Sequence, residues 1–153
     1  MDIFWHGLSG ILIVKTFKKN SSAKLGFLFG SLPDILGGTG PFLYSLILKG
    51  TIFWQAPTVL INIYFLTHSI LAILILFLVL LLFKKEYLVL PYSFHLVIDY
   101  FTHKGLISQI FFPLKINIGA RFGINWWENY FIVVFLYFFL ILGLGWLKLK
   151  KNF

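Results

Sequence analysis

Three ionisable side chains fall on one face of a single apolar segment. In His95-Leu-Val-Ile-Asp99-Tyr-Phe-Thr-His103 they stand at positions i, i+4 and i+8. On a helix these positions drift by only about 40° per step, so the three side chains point the same way. Imidazole and carboxylate one turn apart are typical ligands of zinc and first-row metals. A hydrogen-bonded His–Asp pair and a proton relay are the alternative interpretations.

The other candidates for such chemistry also lie in or beside apolar segments. They are His6, Asp34 in Leu-Pro-Asp, His68 between two hydroxyl residues, and Glu128. Taken alone, His68 is typical of a hydrogen-bonded histidine in a protein core, and Asp34 is typical of a turn residue. Glu128 is explained equally well as a metal ligand and as a residue at the rim of the site. The chain has no cysteine, so any metal must be held by imidazole and carboxylate.

The composition is that of an integral membrane protein. The chain is 59% hydrophobic and 20% aromatic, far from the average of soluble domains. The run Ile61–Phe83 is long enough to span a hydrocarbon core, and tryptophans flank a second run, Tyr130–Leu147. An ionisable group at the centre of a membrane helix costs about 2.5–3.5 kcal/mol on insertion scales, which marks the histidines and aspartates as functional candidates.

The pattern predicts an all-α membrane bundle of about four to five apolar helices, forming one domain over residues 1–153. The expected segments are Ile3–Thr16, Ala23–Leu32, Thr58–Phe83, Tyr87–His103 and Trp127–Lys148, with a short interfacial piece at Phe42–Leu48. Loops are predicted at the glycine-rich stretch Gly37–Pro41 and at Leu106–Asn125.

The net charge of +8 comes mainly from lysines placed between apolar segments. That is the positive-inside pattern of an inner-membrane protein, with added attraction to anionic lipid, and nucleic acid is not expected as a partner. With the lysine loops in the cytoplasm, the N-terminus faces out and the six histidine and aspartate candidates fall in the outer half of the membrane.

Taken in order, these elements resemble a known family. His6-Gly7, Leu32-Pro33-Asp34, Thr67-His68-Ser69, His95-x-x-x-Asp99 and Thr102-His103-x-Gly105 are similar to the membrane-bound metal-dependent hydrolases, the YdjM-like inner-membrane proteins. The order is also distantly similar to the zinc-dependent phospholipase C and single-strand nuclease group.

The resemblance implies a ligand set and a catalytic role. It assigns one metal to His68, His95 and Asp99, and a second to His6 and Asp34. His103, together with Glu128, would bind a third ion or complete a pair of ions. Asp34 would activate the attacking water. Because Leu36 and Ile124 stand where the related proteins carry further ligands, one or two zinc-type ions are expected.

Three hypotheses for function follow from the sequence. The first is a membrane-embedded metal-dependent hydrolase acting on a phosphodiester or related ester, with a lipid-linked substrate. The second is a non-enzymatic ion, proton or metal carrier, in which the His/Asp ladder is a relay. The third is a structural membrane protein whose polar groups hold helices together.

Overall fold

The computed structural model describes residues 2–48, 53–103, 110–114, 116 and 128–150. All the regular secondary structure in these ranges is helical, which confirms the all-α prediction for this part of the chain. The α-helices are α1 (Ile3–Phe17), α2 (Ala23–Pro33), α3 (Thr39–Ile47), α4 (Thr58–Thr67), α5 (Ile70–Leu82), α6 (Val89–Thr102) and α7 (Tyr130–Leu149).

Helices α1 and α2 pack closely against each other, and glycines make the approach possible. A Cβ on Gly30 would lie 2.3 Å from the carbonyl oxygen of His6, and one on Gly10 would lie 2.2 Å from that of Gly26. Small residues at such spacings let two helix backbones pack almost in contact. The side chain of Ser31 adds a bond across the pair, because its hydroxyl donates to the carbonyl of Ile3 at 3.0 Å. The two helices run antiparallel, so the start of α1 lies beside the end of α2.

The predicted single helix over Thr58–Phe83 is wrong. The chain breaks after Thr67, and the two helices α4 and α5 meet at an angle of 60°. Hydroxyl groups at the break provide the physical reason, because they form hydrogen bonds with backbone groups that would otherwise bond to each other within a helix. The Ser69 hydroxyl donates to Leu66 O at 2.7 Å and accepts from Ala72 N at 3.2 Å, so Ser69 caps α5.

The predicted loop at Gly37–Pro41 is also wrong. A π-helical turn, Asp34–Gly38, follows α2 directly and leads into α3. The glycines act here as small residues for packing, since a Cβ on Gly37 would lie 2.1 Å from Thr67 Oγ1. The predicted loop Leu106–Asn125 falls largely outside the described residues.

Within the described ranges, α7 is the helix that is by itself long and apolar enough to cross a membrane, and only 11% of its most apolar window is buried. The pair α4 and α5 passes the same test only if it counts as one bent span, and α1 is apolar but shorter. The wider prediction of a four- to five-helix membrane bundle stays a prediction.

Candidate metal centre

Four of the expected side chains come together between α2, α4 and α6. One ligand atom from each of Asp34, His68, His95 and Asp99 lies within 4.8 Å of every other. The expected convergence of His68, His95 and Asp99 is therefore present. Asp34 joins this group, whereas the family resemblance paired it with His6.

The four nitrogen-to-oxygen distances within this group suit a single tetrahedral ion. His68 Nε2 lies 3.4 Å from Asp34 Oδ1 and 3.7 Å from Asp99 Oδ2. His95 Nε2 lies 3.6 Å from Asp34 Oδ1 and 3.3 Å from Asp99 Oδ2. Tetrahedral zinc with bonds of about 2.0–2.2 Å separates its ligand atoms by roughly 3.3–3.6 Å. The four nitrogen-to-oxygen spacings are thus close to the edges of a zinc tetrahedron.

The tautomers of both histidines direct lone pairs into the same space. His95 Nδ1 lies 2.7 Å from the carbonyl oxygen of Gly30, and His68 Nδ1 lies 2.9 Å from that of Tyr64. A carbonyl only accepts, so each Nδ1 carries the proton and each neutral ring presents an Nε2 lone pair. Backbone carbonyls commonly fix metal-binding histidines in this way.

Neither Nε2 atom has a hydrogen-bond partner in the described part of the protein, although both are buried. Their neighbours are the carboxylate oxygens of Asp34 and Asp99, which also present lone pairs. Facing acceptors repel each other and are poorly solvated when buried, so the arrangement calls for positive charge between them. A divalent cation meets that need, and protonation of the rings is the alternative.

Local backbone structure explains why the Gly30 carbonyl is available. In an unbroken α-helix it would accept from the amide of residue 34. Here Asp34 N–H bonds instead to Ser31 O, where Pro33 and the π-helical turn disturb the ladder. The same disturbance therefore supplies the acceptor for His95 and turns Asp34 toward the two histidines. Irregular π-turns within helices are frequent at functional sites.

Asp99 divides its two oxygens between two sets of partners. Oδ2 faces His68 and His95, while Oδ1 lies 3.0 Å from His6 Nε2 and 3.2 Å from His103 Nδ1. The imidazole of His6 also stacks on that of His95, with ring centroids 3.6 Å apart. His6 and His103 thus hold the far side of Asp99, where they either orient this carboxylate or supply donors for a second ion.

Burial distinguishes the two carboxylates. The Asp34 side chain is 23% exposed and that of Asp99 is 12% exposed, while the side chains of His6 and His95 are fully buried. Asp34 is therefore the carboxylate of the group that is more accessible to a substrate or to water. Glu128 is exposed just before α7 and does not belong to the group of four.

Sequence reasoning missed three residues that shape this centre. Gly30 supplies the carbonyl for His95, and Gly37 allows Asp34 to approach α4. Tyr64 supplies the carbonyl for His68 and stacks its ring on the imidazole, with centroids 4.1 Å apart. The spacing Gly26-x-x-x-Gly30 was the available signal for a close helix pair, and Tyr64 stands one turn before His68.

The chain matches no protein-family model, no curated protein and no solved structure. The geometry of the centre is therefore what bears on its function.

Proposed function

We propose that this protein is a membrane-embedded metal-dependent hydrolase whose divalent cation is held by Asp34, His68, His95 and Asp99. One observation carries the proposal. Two buried Nε2 lone pairs and two carboxylate oxygens face one space, and their four nitrogen-to-oxygen distances are close to those in a zinc tetrahedron. Zinc or manganese suits this donor set. If a second ion binds, the available donors are Asp99 Oδ1, His6 and His103.

A bound divalent cation in such a centre acts as a Lewis acid and makes water a nucleophile near neutral pH. The residues divide the remaining work. Asp99 and His95 anchor the centre, because both are buried and fixed by further contacts. Four protein ligands fill a zinc tetrahedron, so the water would need a fifth position or the place of Asp34. Asp34, the more exposed carboxylate, would then accept the proton of that water. The substrate class we propose is a phosphodiester or related ester.

The proposal places the chain in a membrane with several crossings. Besides α7, the bent pair α4 and α5 has the length and composition of a span. Large apolar side chains are exposed along both, for example Leu78 at 62% and Phe131 at 89%. Such surfaces are unusual for a soluble monomer and suit contact with lipid. A lipid-linked ester is the substrate that such a location favours.

A carrier of ions or protons is the second candidate, and one observation favours it. The contacts from His103 through Asp99 to His95 and His68 form a continuous series of 3.2–3.7 Å steps. Ionisable ladders of this kind serve as relays in transport proteins. A structural role for the same groups is the third candidate.

The first test measures metal content. Protein purified in mild detergent after growth with zinc should contain at least one zinc or manganese per chain. The double variant His95→Ala, Asp99→Ala should lose it, since loss of outer partners alone costs about 10–100-fold in affinity. The matched control is Glu86→Gln, which changes an exposed acid outside the centre and should retain the metal. Wild-type protein without stoichiometric metal would contradict the proposal.

The second test separates the enzyme from its rivals. Metal-loaded protein should hydrolyse bis(4-nitrophenyl) phosphate or a phospholipid in mixed micelles, and the double variant should not. Metal-loaded protein that moves protons or zinc into proteoliposomes without hydrolysis is a carrier. Protein that does neither and unfolds normally without metal has a structural role.

A further inference from the structure

The described lysines all lie at one end of the helix assembly. A hydrophobic cluster of Val14, Leu80 and Leu88 joins the end of α1, the end of α5 and the start of α6. Lysines lie within a few residues of each member of this cluster. The start of α2 reaches the same place, because Leu25 packs against this cluster and the hydroxyl of Ser21, just before α2, donates to Val14 O at 3.3 Å.

The last helix contributes its lysines to the same end. Successive contacts between α7 and α1 have rising residue numbers in both helices. Tyr137 donates to Asp2 Oδ1 at 2.7 Å, and Leu140 packs on Trp5 in a common cluster. A Cβ on Gly143 would meet Leu12, 3.0 Å away. Helices α1 and α7 therefore run parallel, and the C-terminal lysines of α7 lie level with those that follow α1.

We call this surface the lysine end, and it consists of Lys15, Lys18, Lys19, Lys24, Lys84, Lys85, Lys148 and Lys150. Glu86 is the one acidic residue that the described ranges place there. All of these lysines are exposed except Lys15. Two of them cover aromatic rings, with Lys18 Nζ 4.3 Å from the Tyr87 centroid and Lys150 Nζ 4.0 Å from the Trp146 centroid.

We propose that the lysine end binds the anionic headgroups of phospholipids in one leaflet. Lysines outnumber acidic residues at the lysine end, so its net positive charge favours an anionic partner, and exposed apolar helix sides lead away from it toward the rest of the protein. Tyr and Trp beside lysine are typical of the membrane–water interface, where the ring sits at headgroup depth. Nucleic acid would supply the same charge but would leave these apolar sides without a partner.

The proposal is independent of the metal centre. Lys15 follows His6 on α1 by nine positions, which corresponds to about 14 Å of helix. The exposed lysines lie in solvent at this end and do not belong to the group of four that holds the ion. Changes at the lysine end should leave metal content unchanged.

Detergent-solubilised protein provides the test, with short-chain lipids as probes. Dioctanoyl phosphatidylglycerol should bind more tightly than dioctanoyl phosphatidylcholine, and raising the salt concentration should reduce the difference. Each lysine near an anionic surface contributes about fivefold in affinity, so the triple change Lys19→Gln, Lys24→Gln, Lys85→Gln should weaken phosphatidylglycerol binding by roughly 100-fold. These side chains are exposed, and circular dichroism checks that the variant remains helical.

The control variant changes the net charge of the lysine end in the opposite direction. Glu86→Gln removes the acid and should strengthen phosphatidylglycerol binding, while phosphatidylcholine binding stays the same in every variant. Equal affinity for the two lipids, or an unchanged affinity in the triple variant, would overturn the proposal. Tighter binding of a single-stranded RNA oligonucleotide than of phosphatidylglycerol at the same salt would assign the surface to nucleic acid instead.

Discussion

Two adjacent glycines provide a matched test of how the metal centre is built. Gly37 and Gly38 both lie in the π-helical turn that carries Asp34. A Cβ on Gly37 would lie 2.1 Å from Thr67 Oγ1 and 2.9 Å from Tyr64 Cα. A Cβ on Gly38 meets nothing closer than Asp34 Oδ1 at 3.7 Å, an ordinary contact. Alanine should therefore raise the helix propensity equally at the two positions, but it should disturb the packing only at position 37.

The distances give the size of the disturbance in Gly37→Ala. Ordinary contact begins at 3.4 Å, so Thr67 Oγ1 must move away by about 1.3 Å, which is 3.4 minus 2.1. The Thr67 hydroxyl donates to Tyr64 O in α4 at 2.9 Å, so the Thr67 side chain cannot rotate away without breaking this hydrogen bond. The π-helical turn and α4 must then separate, and Asp34 moves away from His68.

A metal centre does not tolerate such a separation, because metal–ligand distances hold within about 0.2 Å. We expect Gly37→Ala to weaken zinc binding by at least 10–100-fold, the loss seen when the supporting shell of a centre is disturbed. Gly38→Ala should bind zinc as the wild type does, and should gain about 0.5–1 kcal/mol of stability from the helix preference of alanine.

Isothermal titration of metal-free protein with zinc measures the first quantity, and thermal unfolding with and without zinc measures the second. The stabilisation by zinc should be large in wild type and Gly38→Ala and small in Gly37→Ala. Equal zinc affinity in the two alanine variants would refute the idea that close packing of the π-helical turn on α4 sets the position of Asp34.

Three further predictions address the supports of the centre. Gly30→Ala should lower both stability and zinc affinity in the same unfolding and titration assays, because its Cβ would collide with the carbonyl of His6. Gly145→Ala, with open space around it in α7, should leave zinc affinity unchanged and raise stability by about 0.5–1 kcal/mol. Asp34→Asn should retain more metal than Asp99→Asn by elemental analysis yet lose turnover, since Asp99 contacts more of the histidines and Asp34 is proposed to take the proton. Ser69→Ala removes the cap of α5 and should lower the free energy of unfolding by about 1 kcal/mol in a denaturant titration.

Helix positions were largely predictable from the sequence, and the interruptions were not. The bounds of α1, α2, α6 and α7 lie close to those expected, because long apolar runs dominate local structure. The break at His68 depends on serine and threonine hydroxyls competing for backbone groups, which an apolar pattern hides. The helical path through Gly37 depends on contact with Thr67, a residue far away in the sequence.

The same distinction holds for the metal centre. The pair His95 and Asp99 follows from helical spacing, and the structure places both in the group of four. Which residues from other helices join this pair depends on how the helices pack. The sequence therefore did not predict that Asp34 lies with His68 rather than with His6. The carbonyl of Gly30 is a backbone atom, and no side-chain pattern in the sequence marks it as a support for His95.

The depth of the centre follows from combining the two proposals. If the lysine end lies at the headgroups of one leaflet, His6 is about 14 Å further along α1, and His95 is ten positions beyond Lys85, or about 15 Å. Half of a bilayer with its headgroups is roughly 20–22 Å, so under both proposals the centre would lie inside the hydrocarbon core, short of the midplane on the lysine side rather than in the outer half. At this depth the ester of a lipid cannot arrive with its headgroup still at the surface. The proposed lipid-linked substrate would therefore have to reach Asp34 either through a polar opening on the face away from the lysines, or by bending its headgroup inward between α3 and α4, the elements beside the more exposed carboxylate.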